Sequence, residues 1–139
     1  MSSTPQQAPQ GGPYEWLRRG TELLARGDAA AAATLLQHAA EEEPRSASVL
    51  EALARAQYDS GRASEAAATF ARLVDLSPDA DYARFGLGVA LSRVGRFEEA
   101  AEHLALAVAM RPDRDEYVQR LRQVRATLAS RRDSPAEGA

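Results

Sequence analysis

Residues 60–79 read SGRASEAAATFARLVDLSPD, and residues 94–113 read VGRFEEAAEHLALAVAMRPD. Gly61 and Gly95 are 34 residues apart (95 − 61), as are Ala66 and Ala100, and Pro78 and Pro112. The same interval, subtracted once more, lands on Gly27, Ala32 and Pro44 inside ARGDAAAAATLLQHAAEEEPR. Three copies on one fixed period mark a solenoid or array, in which each unit buries its apolar flank against the next.

Each copy divides at its glycine into two runs of about 14 residues whose apolar positions recur every three or four, the helical period. In the third copy the runs are 81–94 and 97–110. Gly27, Gly61 and Gly95 stand where a left-handed residue stops the first helix. Pro44, Pro78 and Pro112 end the second, because proline lacks the amide donor and clashes with the preceding turn. Asp28, Asp79 and Asp113 are placed to cap helix starts, whereas Arg62 and Arg96, which replace Asp28 in the later copies, are poor caps. Packing must therefore carry the period. Gly20, Ala54 and Gly88 in the first helices, with Ala32, Ala66 and Ala100 in the second, form a layer small enough for close approach. Leu53, Phe70, Leu87 and Leu104 fill the layers beside it.

Composition removes several function classes. The 139 residues carry a formal charge of −3, too small to imply a field directed at nucleic acid or a membrane surface. No cysteine is present, so disulfides, thiolate zinc sites and a cysteine nucleophile are excluded. Lys, Asn and Ile are missing and Arg supplies all 17 basic side chains, the mark of a high-GC, bacterial type of genome. MSSTPQQAPQGG lacks the basic start and apolar core of a signal peptide. No apolar run reaches the ~20 residues of a membrane span. A cytoplasmic protein is the expectation.

The spacing and residue types together resemble the tetratricopeptide repeat, W-x2-L-G-x2-Y, then A-x3-F, then P. The first copy matches with Trp16, Gly20, Ala32 and Pro44, and departs at Arg19, Leu23 and Leu36. The second offers Leu53, Ala66, Phe70 and Pro78; the third offers Leu87, Gly88, Ala100 and Pro112, with Leu91 and Leu104 in place of aromatics. The resemblance covers about residues 13–112. It implies an all-α, right-handed superhelix of three helix-turn-helix repeats, about 13–46, 47–80 and 81–114, with first helices lining a concave groove. A capping helix at about 115–131 follows, led by Asp113 and Glu116 at capping-box spacing and striped by Tyr117, Val118, Leu121, Val124 and Leu128. Residues 1–12 and 132–139 are expected to be disordered tails.

Little chemistry is written here. His38 and His103 lie on second helices of different repeats without a partner and are expected on the exposed convex back. FGLGVA at 85–90 lacks the preceding strand and third glycine of a dinucleotide loop. The acidic run Glu41–Glu43 reads as a solvated helix end. Five arginines between Arg120 and Arg132 lack the aromatic ladder that stacks on bases. The expectation is a protein without catalytic, metal or cofactor residues, and with neither nucleic acid nor membrane as partner.

Family geometry implies a groove lined by Tyr14, Leu17, Thr21 and Leu24; by Ser48, Glu51, Arg55, Tyr58 and Asp59; and by Tyr82, Phe85, Val89, Ser92 and Arg93. Relatives that hold the acidic tails of heat-shock chaperones use a clamp of Lys, Asn and Arg. The matching sites here are Leu17, Thr21, Ala52, Tyr82 and Gly86, so the resemblance implies a different ligand. Two arrangements stay open: an apolar and aromatic groove for a partner's peptide or helix, or a tightly wound array in which Leu17, Tyr82 and Phe85 close over one another. Self-assembly through the groove or the first-repeat flank is the alternative to an adaptor.

Overall fold

The computed structural model describes residues 9–133, and within them the chain forms seven helices and no strand. These are α1 (Pro13–Ala25), α2 (Ala29–Glu42), α3 (Ala47–Asp59), α4 (Ala63–Leu76), α5 (Asp81–Arg93), α6 (Phe97–Met110) and α7 (Asp115–Asp133). Each packs on its neighbours in sequence, α3 also touches α1, and α7 also touches α5. The last helix runs through Asp133, past the expected end at 131. Residues 9–12 of the expected first tail lead into α1, with Gln10 O accepting from Trp16 Nε1 at 2.9 Å. Residues 1–8 and 134–139 lie outside the described residues.

The turn inside each pair is set by its glycine. Gly61 has φ +88°, a conformation that a Cβ would strain, with Gly27 and Gly95 nearly identical at +86° and +87°. Around it the Gly61 N–H donates to Tyr58 O at 3.0 Å and the Arg62 N–H to Gln57 O at 2.8 Å. These two hydrogen bonds satisfy two of the orphan carbonyls at the end of the first helix. Arg62 O then accepts from Ala66 N at 2.9 Å and so opens α4 directly.

That geometry corrects the capping assignments. Asp28 precedes α2, yet its side chain makes no capping bond, and Arg62 and Arg96 serve the same position with their backbones. Arg96 instead holds Glu99 through two contacts of 2.7 Å. Asp79 falls one residue too early, since Ala80 precedes α5. Asp113 is bound by Arg111 at 3.0 and 2.9 Å, and the guanidinium holds its carboxyl at about 2. No capping box with Glu116 forms there, as α7 begins only at Asp115. Ser46 is a true cap, its Oγ accepting from Val49 N at 3.3 Å.

The small-residue layer is as expected. Ala32, Ala54, Ala66 and Ala100 are all fully buried. A Cβ on Gly88 would stand 2.6 Å from Leu104 Cγ and 3.2 Å from Ala100 O, so the α5–α6 pair closes only because that atom is missing. Leu36, Leu50, Leu53 and Leu104 fill the adjacent layers with almost no exposure. The third repeat is covered by Tyr117, Leu121 and Val124 of α7, all buried, with Val118 and Leu128 half-buried beside them.

Candidate peptide-binding groove

Stacking the pairs leaves the first helices α1, α3 and α5, followed by α7, side by side. Two hollows open among them. One, of about 310 Å³, lies between α1 and α3 beside Tyr14 and Leu17, with Val49 at its base. The other, of about 260 Å³, lies among α3, α5 and α7. Its apolar lining is Phe70, Phe85, Gly86 and Val89, its tyrosines are Tyr58 and Tyr82, and its charged walls are Arg55 and Asp59 on α3 and Glu116 and Arg120 on α7.

The expected groove residues divide between these places. Tyr14 is 84% exposed and Tyr82 38%, so both present aromatic surface to solvent. Leu17, Leu24 and Tyr58 are half-buried, while Glu51 and Arg55 are exposed. Thr21 is exposed but donates to Leu17 O at 2.7 Å, and it lines neither hollow. Arg93 does not line the hollow among α3, α5 and α7 either. Its Nη1 donates to the Tyr58 hydroxyl at 3.2 Å and its guanidinium lies 5.3 Å from that ring, which holds Tyr58 in place.

Phe85 and Val89 line the hollow among α3, α5 and α7, yet each is only 8% exposed and is also part of the core. Phe85 stacks on Tyr117 at 4.4 Å, so it closes against the last helix. Tyr82 stays open, its ring edge-on to Phe70 at 6.3 Å. Phe85 thus packs on the last helix, and the stacked partner of its ring is neither Tyr82 nor Leu17.

Four residues of the hollow among α3, α5 and α7 were not anticipated as groove residues: Phe70, Gly86, Glu116 and Arg120. Phe70 comes from α4, a second helix, and reaches the groove side because α5 has no side chain at 86. A Cβ there would stand 2.3 Å from the Phe70 ring. The pairing of a bulky aromatic with a glycine in the next helix was the available signal. Glu116 and Arg120 follow from the period itself, standing one interval beyond Tyr82 and Gly86.

Tyr82 carries the electrostatic imprint of the site. Burial raises its phenol pKa, Arg55 opposes the rise, and Glu51, Asp59 and Glu116 add to it. The phenol thus keeps its proton beyond the pH at which a free tyrosine ionises. The histidines are elsewhere and are half-buried rather than exposed. His38 meets Trp16 edge-on at 6.3 Å, and the buried His103 Nδ1 has no hydrogen-bond partner. Burial and then Arg84 lower the His103 pKa, keeping the ring neutral. Among the described residues no cluster of three or more His, Cys, Asp or Glu side chains is placed to hold a metal. No described helix is long and apolar enough to cross a membrane.

The tetratricopeptide repeat profile matches residues 17–81 and 51–115. Superkiller complex protein 3 of Mus musculus is 30% identical over 100 residues, which are 72% of this chain and 6% of that protein, so the chain spans a small fraction of its relative. The first TPR domain of Spaghetti (RPAP3), bound to the HSP90 peptide SRMEEVD, superposes with a TM-score of 0.80 at 17% identity, covering 90% of this chain and 99% of that one. YrrB, described as a TPR protein with an unusual peptide-binding site, gives a TM-score of 0.75 at 22% identity over 79% of this chain and 57% of its own. At such identities the two structures share the fold alone with this chain. One of them holds a chaperone peptide, so the likeness lends no support to setting that ligand class aside.

Proposed function

The chain belongs to the tetratricopeptide repeat family, and from that premise we propose that it is a non-enzymatic cytoplasmic adaptor that takes a peptide or helix of a partner protein into its groove. The observation that carries this reading is the hollow among α3, α5 and α7. It combines a part-exposed aromatic, an apolar floor and charged walls, the composition of an anchoring pocket in a protein interface. At about 260 Å³ it falls below the ~300–1,000 Å³ usual for a small-molecule site and suits a single side chain.

The ligand class proposed here does not include acidic chaperone tails. That exclusion rests on residues alone: the clamp positions hold Leu17, Thr21, Ala52, Tyr82 and Gly86, none of which is a cation. Ala52 and Gly86 are buried as well. Self-assembly is the second reading, supported by the 84% exposed Tyr14 beside the apolar hollow between α1 and α3. A molar mass that grows with concentration in light scattering would favour it.

Tyr82→Ser tests the adaptor reading, and Phe85 is left intact because it is a core residue. Removing one apolar anchor worth roughly 1.5–3 kcal/mol should weaken capture of the partner by about ten- to a hundredfold. Circular dichroism should be unchanged. Undiminished capture by the folded variant would move the binding surface away from this hollow.

A further inference from the structure

Charged side chains of both signs stand around the hollow among α3, α5 and α7. Some opposite charges on the surface close on each other, as in Arg96–Glu99 at 2.7 Å, Arg111–Asp113 at 2.9 Å and Arg18–Glu22 at 3.4 Å, while others at similar spacing, such as Glu22 and Arg26, do not. At the hollow, Arg55 has Glu51 and Asp59 one turn to either side, and Arg120 has Glu116 one turn before it. This i,i+4 spacing favours pairing on a helix. Yet among the described residues neither arginine forms an ion pair within 4.0 Å. Both guanidinium groups are left with free donors.

The repeat period gives their order. Arg120 stands where Gly86 stands in α5, and Arg55 where Val89 does, so the arginines of the two walls occupy adjacent levels over the apolar floor. Glu116 corresponds to Tyr82 and Asp59 to Arg93, which puts an acid at each end of the hollow on opposite walls. Glu51, outside the lining, adds a third acid on α3 close enough to act on Tyr82. The middle therefore favours one carboxylate, while any further carboxylate along the same path meets Asp59, Glu116 or Glu51.

Resting on the groove reading, we propose that the hollow takes a partner's peptide bearing one bulky apolar side chain next to a single Asp or Glu, with basic residues on the outer sides. The apolar side chain fills the space over Phe85 and Gly86. The carboxylate bridges Arg55 and Arg120, whose planar donor forks suit it. The outer basic residues meet the acids at the two ends, and like-charge contact rejects an acidic run.

A random twelve-residue peptide library, selected on the intact chain, tests this. The enriched peptides should share an apolar residue beside one acid, with Arg or Lys beyond. Their affinity should fall at least about tenfold on Arg55→Glu with Arg120→Glu, and a peptide with its acid changed to Lys should regain binding on that variant. Enrichment of acidic runs, or of apolar peptides indifferent to the arginine changes, overturns the charge assignment while leaving the groove in place. Peptides that bind Tyr82→Ser as well as the unchanged chain, or a selection without any groove-dependent binder, overturn the groove reading and this proposal with it.

Discussion

Tyr117 shows how one side chain joins the last helix to the repeat before it. Its ring is almost wholly buried and stacks on Phe85, and its hydroxyl donates to Asp81 Oδ2 at 2.6 Å. Burial first, and then the Asp81 carboxylate, push the phenol pKa well above its usual value. The neutral ring is thus favoured more in the folded chain than in the unfolded one. Its contribution is complete below the ordinary tyrosine pKa of about 10 and is lost as pH climbs through the higher folded value. Tyr82, also raised, has the same sign. Tyr117→Phe keeps the stack but loses a hydrogen bond to a charged acceptor, which should cost about 1–3 kcal/mol at pH 7. The variant should also lose stability less steeply above pH 10 in urea titrations. Parallel alkaline limbs for the two proteins would show that ionisation of Tyr117 is not linked to folding.

At the scale of elements, α7 is both a cover and a wall. Tyr117, Leu121 and Val124 shield the third repeat, while Glu116 and Arg120 border the hollow. Deleting residues 113–139 should uncover Phe85 and the apolar side of α6, giving aggregation or a loss of helicity beyond the deleted segment. A truncated chain that stays monomeric with an unchanged melting curve would reduce α7 to an appendage. Much of this architecture could be read from the sequence because single residue types impose it. A glycine at φ +88° and a proline beyond a helix end act locally, and a fully buried alanine repeated every 34 residues declares a close contact. Caps were less legible, since Arg62 and Arg96 start helices with backbone carbonyls that any residue supplies. The burial of Phe85 was less legible, because its stacking partner Tyr117 comes from the last helix, outside the three repeats. Arg120 was noted as part of a basic stretch, but its place in the wall appears only when α7 is set beside α5.

Across the whole molecule, stability passes from each unit to the next, because no helix packs far from its sequence neighbours. The first repeat has one neighbouring repeat and the second has two. Ala32 and Ala66 occupy equivalent sites, both fully buried, so the same substitution at each isolates the effect of position. A glutamate in that layer overpacks the contact and buries a charge, enough to open the local helix pair. In Ala32→Glu, hydrogen exchange protection should vanish from α1 and α2 and persist, though reduced, from α3 to α7. In Ala66→Glu the break falls between the outer repeats, and protection should be lost throughout. That leaves a single repeat on either side of the break, whereas Ala32→Glu leaves two repeats stacked together with α7. Binding should follow the same division: the hollow among α3, α5 and α7 survives the first change and not the second. Equal, global loss of protection in both variants would mean that the chain folds as a single cooperative unit. The groove would then depend on the first repeat as much as on its own walls.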